Sequence, residues 1–146
     1  MRIVLALMLA LFGSLPALNA AASGQTHVRA LLVLASNEHG QTDSRLSAYE
    51  PTLRSILRFE SYRLIGEGSA DLAAGGKANV ALAQGHSLDL QAETIEAKGV
   101  RLRLVWQDGG RTLMSTGLAL RSGTPAVLGG PRNGKDGVWA IILVAE

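Results

Sequence analysis

The chain of 146 residues contains no cysteine. This absence excludes disulfide bridges, thiolate ligands for a metal ion and a lipid attached to an N-terminal cysteine. A large excess of charge of one sign is also missing, because 14 Lys and Arg residues stand against 12 Asp and Glu residues. A nearly neutral chain gives no electrostatic support for a general role in nucleic-acid binding. We therefore expect no nucleic-acid partner.

The longest apolar run lies at the N-terminus, and no second apolar stretch reaches the length of a membrane span. Arg2 precedes an uninterrupted apolar run at residues 3–12, Gly13 and Pro16 end this run, and small residues follow at 19–22. A cation, a short apolar core and small residues before a cleavage point are typical of a secretory signal peptide. The alternative, a retained membrane anchor, needs roughly 20 apolar residues, and this run is shorter.

The signal sets the expected domain organisation and location. We predict a signal peptide at residues 1–20, with cleavage after Ala22 as the alternative, and a single β-rich domain at residues 21–146. The protein is then periplasmic or secreted, and we expect no membrane span after signal cleavage.

Two apolar runs predict the central strands of the domain. Residues 28–35 and 138–145 are apolar at nearly every position, which is typical of strands covered on both faces. Between them apolar residues recur every second position, with glycines between the segments. This pattern predicts further strands at 59–65, 69–72, 78–82 and 86–95. The predicted fold class is α+β, mainly an antiparallel β-sheet that curls or folds into a sandwich.

One N-terminal helix is predicted after the first strand. Asp43 or Ser44 can cap this helix, and apolar residues such as Leu46 and Leu53 recur at helical spacing. Pro51 lies inside the segment, where it removes one backbone hydrogen bond. We therefore expect a kink, or a new start with Pro51 near the first helical position.

Two hairpins are predicted towards the C-terminus. The first joins the strands at 100–106 and 112–120, and a three-residue loop that brings Trp106 beside Thr112 keeps one consistent apolar face. The second joins 125–128 to 138–145 through a loop at residues 129–137.

That second loop matches the first part of a phosphate-binding motif, Gly129-x-x-x-x-Gly134-Lys135. The motif requires Ser or Thr after the lysine to hold magnesium, and Asp136 occupies that position. It also requires a following helix, whereas the next segment is a predicted strand. We interpret the segment as a hairpin loop and expect no cofactor.

The densest group of titratable residues is Glu38, His39 and Asp43. With His86 it could bind a metal ion or supply an acid and a base, as in a small periplasmic hydrolase or a metal-dependent enzyme. A solvated loop with a helix cap is the favoured interpretation. No serine-nucleophile motif occurs in residues 21–146, so we expect no catalytic residues, no metal site and no enzymatic activity.

A basic group provides the candidate binding residues. Arg101 and Arg103 share one face of a predicted strand, and Arg132 and Lys135 lie in the last hairpin. These four residues could form a binding module for an anionic small molecule or a polysaccharide. Arg101 and Arg103, with Lys98, Arg111 and Arg121 near the same hairpin, could also face an acidic partner or a polyanion. The favoured interpretation of this stripe is the solvated face of an amphipathic sheet.

The segment 118–131, LALRSGTPAVLGGP, resembles the strand–turn–strand with a final Gly-Gly found in the secretin family of outer-membrane pores. The resemblance implies a β-hairpin here. Pro131 departs from the family pattern, which has an apolar residue there, so no pore function is carried over. The whole chain is also similar to small exported bacterial β-rich proteins with a helix followed by strands.

These observations favour an exported, non-catalytic domain that acts through protein–protein contacts in the bacterial cell envelope. An accessory role in a secretion, pilus or adhesion assembly fits the signal, the lack of a catalytic set and the many strand edges. The alternatives are the small hydrolase or metal-dependent enzyme and the anion-binding module.

Overall fold

A computed structural model describes residues 24–38, 40–134 and 137–146. The predicted signal peptide at 1–20 and the alternative cleavage point at 22 lie outside these ranges and stay predictions. The strands are β1 (Gln25–Ser36), β2 (Ser61–Ala73), β3 (Lys77–Ala81), β4 (His86–Glu96), β5 (Gly99–Asp108), β6 (Arg111–Arg121), β7 (Ala126–Arg132) and β8 (Gly137–Ala145). A 3₁₀ turn (Ser44–Leu46) and the helix α1 (Glu50–Ile56) lie between β1 and β2.

The strands form two four-stranded sheets, and every strand pair is antiparallel. Sheet A has the order β2-β1-β8-β7, and sheet B has the order β3-β4-β5-β6. Apolar side chains from both sheets meet in one buried core, which includes Leu32, Ile141, Leu90 and Trp106. The prediction of a mainly antiparallel β-sheet protein is confirmed.

The two continuously apolar strands, β1 and β8, lie side by side in the middle of sheet A. One set of alternate residues, including Leu32 and Ile141, faces the core shared with sheet B. The other set, including Leu31 and Ile142, is buried in a second cluster on the opposite face. Because both faces are covered, neither strand needs a polar face, which explains why both runs are apolar at nearly every position.

The second cluster is closed by the segment that contains the short helix. Leu46 from the 3₁₀ turn and Leu53 from α1 are both fully buried against sheet A. Asp43 caps the 3₁₀ turn by accepting a hydrogen bond from the backbone of Arg45. Pro51 lies in the first turn of α1, which begins at Glu50, and the missing N–H of proline is tolerated at that position.

One strand replaces two predicted ones, since β2 continues through the glycines that were expected to separate 59–65 from 69–72. A Cβ atom at Gly66 would lie 2.7 Å from Ala83 Cβ, and one at Gly68 would lie 2.6 Å from Val80 Cγ1. These glycines therefore serve the close approach of β2 to the β3 region instead of forming a turn. The pairing with β1 shifts register at this point, as in a β-bulge.

The predicted three-residue loop of the β5–β6 hairpin is wrong. The turn consists of Gly109 and Gly110, both with positive φ (58° and 84°), as a two-residue turn of this type requires. The extra residue, Leu113, lies in a bulge inside β6, so Trp106 pairs with Met114 instead of Thr112. The observed register differs from the predicted one by two residues, so the same side chains of β6 face the core as predicted.

The loop predicted at residues 129–137 is shorter in the structure, because β7 continues to Arg132. Gly130 and Pro131 lie where the pairing with β8 shifts register. A Cβ atom at Gly130 would overlap the indole ring of Trp106. The glycine therefore allows sheet A to approach this large core side chain from sheet B.

Candidate functional site

Two of the predicted binding residues, Arg101 and Arg103, lie on the outer face of sheet B. They are exposed on β5 and alternate with the buried Leu102 and Leu104. Arg103 Nε lies 3.8 Å from Glu93 Oε1, and both side chains are largely exposed, so this pair contributes little stability. Arg101 forms no salt bridge with any residue in the described ranges.

The other two predicted residues are not part of this face. Arg132 ends β7, which belongs to sheet A, and it is exposed. Lys135 lies outside the described residues. The structure therefore brings Arg101 and Arg103 together, and the wider basic site that includes Arg132 and Lys135 stays a prediction.

Next to these arginines, β6 forms one edge of sheet B. Its only hydrogen-bonded strand neighbour among the described residues is β5, and the pairing is regular from Met114 to Leu120. The opposite edge of β6 presents backbone N–H and C=O groups that no described strand pairs. Such an edge is a template for an additional strand.

The other three edge strands carry features that discourage pairing. β3 has only five residues, and β7 contains Pro131 and a register shift. β2 carries exposed charges such as Arg63, Glu67 and Asp71. By contrast, residues 114–120 of β6, beyond the bulge at Leu113, include no charged residue, no proline and no register shift. Short length, proline and edge charges are the usual protections of natural sheets, and this part of β6 has none of them.

Charge is distributed unequally around this edge. The segment 99–132, which holds β5, β6 and β7, contains five arginines and a single acidic residue, Asp108. On the outer face, the small residues Ser115, Gly117 and Ala119 of β6 lie beside β5, and the last two pair directly with Arg103 and Arg101. We call Arg101, Arg103 and the unpaired edge of β6 the β6 docking edge.

A separate polar cleft of about 380 Å³ lies at one end of sheet A. Glu38 from the predicted titratable group lines it, together with Ser61, Arg63 and Asn133, which the sequence interpretation missed. Arg63 alternates with buried residues on β2, so its sequence pattern was that of a solvated strand face. Only the fold reveals that it shares a cleft with Glu38.

Asp43 does not line that cleft and has a structural partner. Arg45 binds its carboxylate through both Nε and Nη2, at 3.0 and 2.6 Å. These side-chain hydrogen bonds, with a further one from the Arg45 backbone, lower the pKa of Asp43 from 3.8 to about 2. The same contact raises the pKa of Arg45. Asp43 is therefore an ionised cap at ordinary pH.

His86 lies in the core, apart from the Glu38 cleft. Trp106 Nε1 donates to His86 Nδ1 over 3.0 Å, and the ring of Trp139 is 4.8 Å from the His86 ring. His86 Nε2 lies 4.0 Å from Asp108 Oδ2. His39 lies outside the described residues, so the predicted set of Glu38, His39, Asp43 and His86 is not assembled in the described part of the chain.

Neither a metal-binding group nor a membrane-spanning helix defines a further site in the described ranges. Among residues 24–38, 40–134 and 137–146, no group of three or more His, Asp or Glu side chains is placed to hold a metal ion. Over the same ranges, no helix has the length and apolar character needed to cross a membrane. Gly137 begins strand β8, so a strand follows the glycine-rich segment that resembled a phosphate loop.

No protein-family model, curated protein or solved structure matches this chain.

Proposed function

We propose that this protein is an exported, non-catalytic domain that acts through protein–protein contacts in the bacterial cell envelope. Its role is that of an accessory component in a secretion, pilus or adhesion assembly, and its location is the periplasm or the cell exterior. The finer fold assignment is an α+β sandwich with one N-terminal helix after the first strand. This proposal includes no cofactor and no nucleic-acid partner.

The observation that carries the proposal is the β6 docking edge. The stretch of this edge strand between Arg111 and Arg121 has neither charge nor proline, which invites pairing with another chain, and proteins in aqueous compartments usually protect such edges. A partner strand that covers this edge would satisfy its backbone groups, as in other complexes formed by strand addition. The outward-facing arginines beside the edge would set which partners are accepted.

Site-specific photo-cross-linking in living cells tests the proposal. A photoreactive amino acid replaces the exposed Ser115 on β6, and the matched control replaces the exposed Ser55 on α1. We expect a discrete cross-linked envelope protein from position 115 and none from position 55. Recovery of the protein as an uncross-linked monomer from both positions would contradict the proposed function.

A second candidate function is a binding or hydrolytic site for a small polar molecule in the Glu38 cleft. The supporting observation is that Glu38, Ser61 and Arg63 line one concave space of a size that holds a small ligand. Thermal-shift measurements with a library of small polar compounds would test it. Stabilisation of the wild type that is lost in Arg63→Ser, and retained in the exposed control Arg58→Ser, would favour this function.

A further inference from the structure

We infer that the β6 docking edge binds an extended, acidic segment of a partner protein as a fifth strand of sheet B. Backbone groups of β6 pair with the segment, and its carboxylates meet Arg101 and Arg103. This inference rests on the proposed function, because it specifies the chemistry of the partner that the function requires.

The backbone of β6 supplies the first part of the recognition. Strands in a sheet lie roughly 4.8 Å apart, and an added strand at that distance would pair with the N–H and C=O groups on the open edge. The regular register from Met114 to Leu120 gives a straight stretch for this pairing. The bulge at Leu113 marks one end of that stretch, because bulges disrupt the ladder locally.

The side chains on the outer face supply the second part. Arg101 and Arg103 lie one strand away from the open edge, and the residues paired with them, Ala119 and Gly117, are small. A long arginine side chain can therefore extend over β6 without meeting a bulky neighbour. Its guanidinium group then lies beside alternate side chains of the added strand, which point to the same face. Arg103 would exchange its exposed 3.8 Å contact with Glu93 of β4 for one with the partner, at little cost in stability.

Charge determines the chemistry of the partner. No carboxylate occurs on β6, and the only acidic residue in the segment 99–132 is Asp108, at the hairpin end. A basic partner segment would meet like charges, whereas an acidic one would pair with them. Complementary charge speeds association and rejects the wrong partners. The arrangement therefore selects an acidic strand over a basic or a neutral one.

The test uses fluorescent peptides and the purified protein. The first peptide alternates Glu with Thr over about ten residues, the length of a long strand. The second replaces each Glu by Lys, and the third keeps Glu but carries N-methyl groups along its backbone. We expect only the first peptide to bind, because the second has the wrong charge. The third has no backbone N–H donors, and its methyl groups obstruct strand pairing on either edge.

Matched variants of the protein separate local recognition from overall charge. Arg101→Ser combined with Arg103→Ser should weaken binding of the acidic peptide about tenfold, the combined effect of two exposed charge pairs. The control Arg58→Ser with Lys77→Ser removes the same number of exposed positive charges elsewhere and should leave binding nearly unchanged. Equal melting temperatures of the variants would show that folding is intact.

Each outcome has a defined meaning. Equal binding of the N-methylated peptide, or equal weakening by both double variants, would overturn the inference, as would failure of the acidic peptide to bind. If an envelope partner nevertheless cross-links at position 115, the inference fails and the proposed function stands. If no partner cross-links at position 115, the proposed function itself fails, and peptide binding alone does not rescue it.

Discussion

Trp106 Nε1 donates a hydrogen bond to His86 Nδ1 across 3.0 Å within the core. Both residues are almost completely buried, on the adjacent strands β5 and β4. An indole nitrogen can only donate, so Nδ1 of His86 is the acceptor and its ring proton is assigned to Nε2. The pair satisfies two polar groups that burial would otherwise leave without a partner.

We predict that His86→Leu destabilises the protein by about 1–3 kcal/mol, because the Trp106 N–H is then buried without an acceptor. Urea denaturation followed by circular dichroism measures the change in the free energy of unfolding. His27→Leu is the matched control, since His27 pairs with Asp71 at the surface and its loss should cost less than about 1 kcal/mol. Equal effects of the two substitutions would contradict the assigned role of His86.

Gly130→Ala should destabilise the protein by about 1–3 kcal/mol through overpacking against the same tryptophan. The new methyl group would overlap the ring atoms Cη2 and Cζ3 of Trp106 and would lie 3.1 Å from the Trp139 carbonyl oxygen. Trp106 is fully buried and held by His86, so it cannot move aside easily.

Gly117→Ala provides the control for this prediction. A Cβ atom at Gly117 would lie 3.7 Å from the Leu102 carbonyl oxygen, which is ordinary contact. The free energy of unfolding should change by no more than about 0.5 kcal/mol. If both alanine variants unfold at the same denaturant concentration, Gly130 is not needed for the approach of β7 to Trp106.

The sequence predicted the sheet-rich fold because hydrophobic periodicity reports burial directly. The continuous apolar runs identified β1 and β8 as central strands, and alternation identified β4, β5 and β6. The bulge at Leu113 and the unbroken strand β2 could not be predicted in the same way. A glycine in a sequence indicates either a turn or a position where another chain segment approaches its backbone closely. For Gly66 and Gly68, only the packing of β2 on β3 decides between these two possibilities.

The candidate site was predicted only in part, for a similar reason. Alternation placed Arg101 and Arg103 on the exposed face of one strand. Strand β6 is an open edge because of the order of strands in sheet B. No local pattern in the sequence predicts that order. The role of His86 also depended on a long-range contact, because its acceptor nitrogen meets Trp106 only after β4 and β5 pair.

Trp139→Ala should destabilise the protein by about 3–5 kcal/mol, through lost burial and the cavity left behind. Trp139 lies on the central strand β8 and packs in the core against the His86 ring. Ile56→Ala is the control, because Ile56 is a large apolar residue that is 52% exposed on α1. A melting curve of Trp139→Ala identical to that of the wild type would remove this residue from the core.

The final prediction concerns the Asp43–Arg45 pair. Hydrogen bonds from Arg45 hold the pKa of Asp43 at about 2, below the ordinary value of 3.8. A lowered folded-state pKa means that the pair contributes its full stability above about pH 4 and loses it as the pH falls through about 2.

Titration of the Asp43 carboxyl carbon by NMR should give a pKa near 2 in the wild type. In Arg45→Gln the pKa should rise towards 3.8, because the guanidinium donors are removed. Arg54→Gln is the matched control, since Arg54 pairs with Glu50 and not with Asp43. A wild-type pKa near 3.8, or an equal rise in both variants, would show that the Arg45 contact does not form in solution.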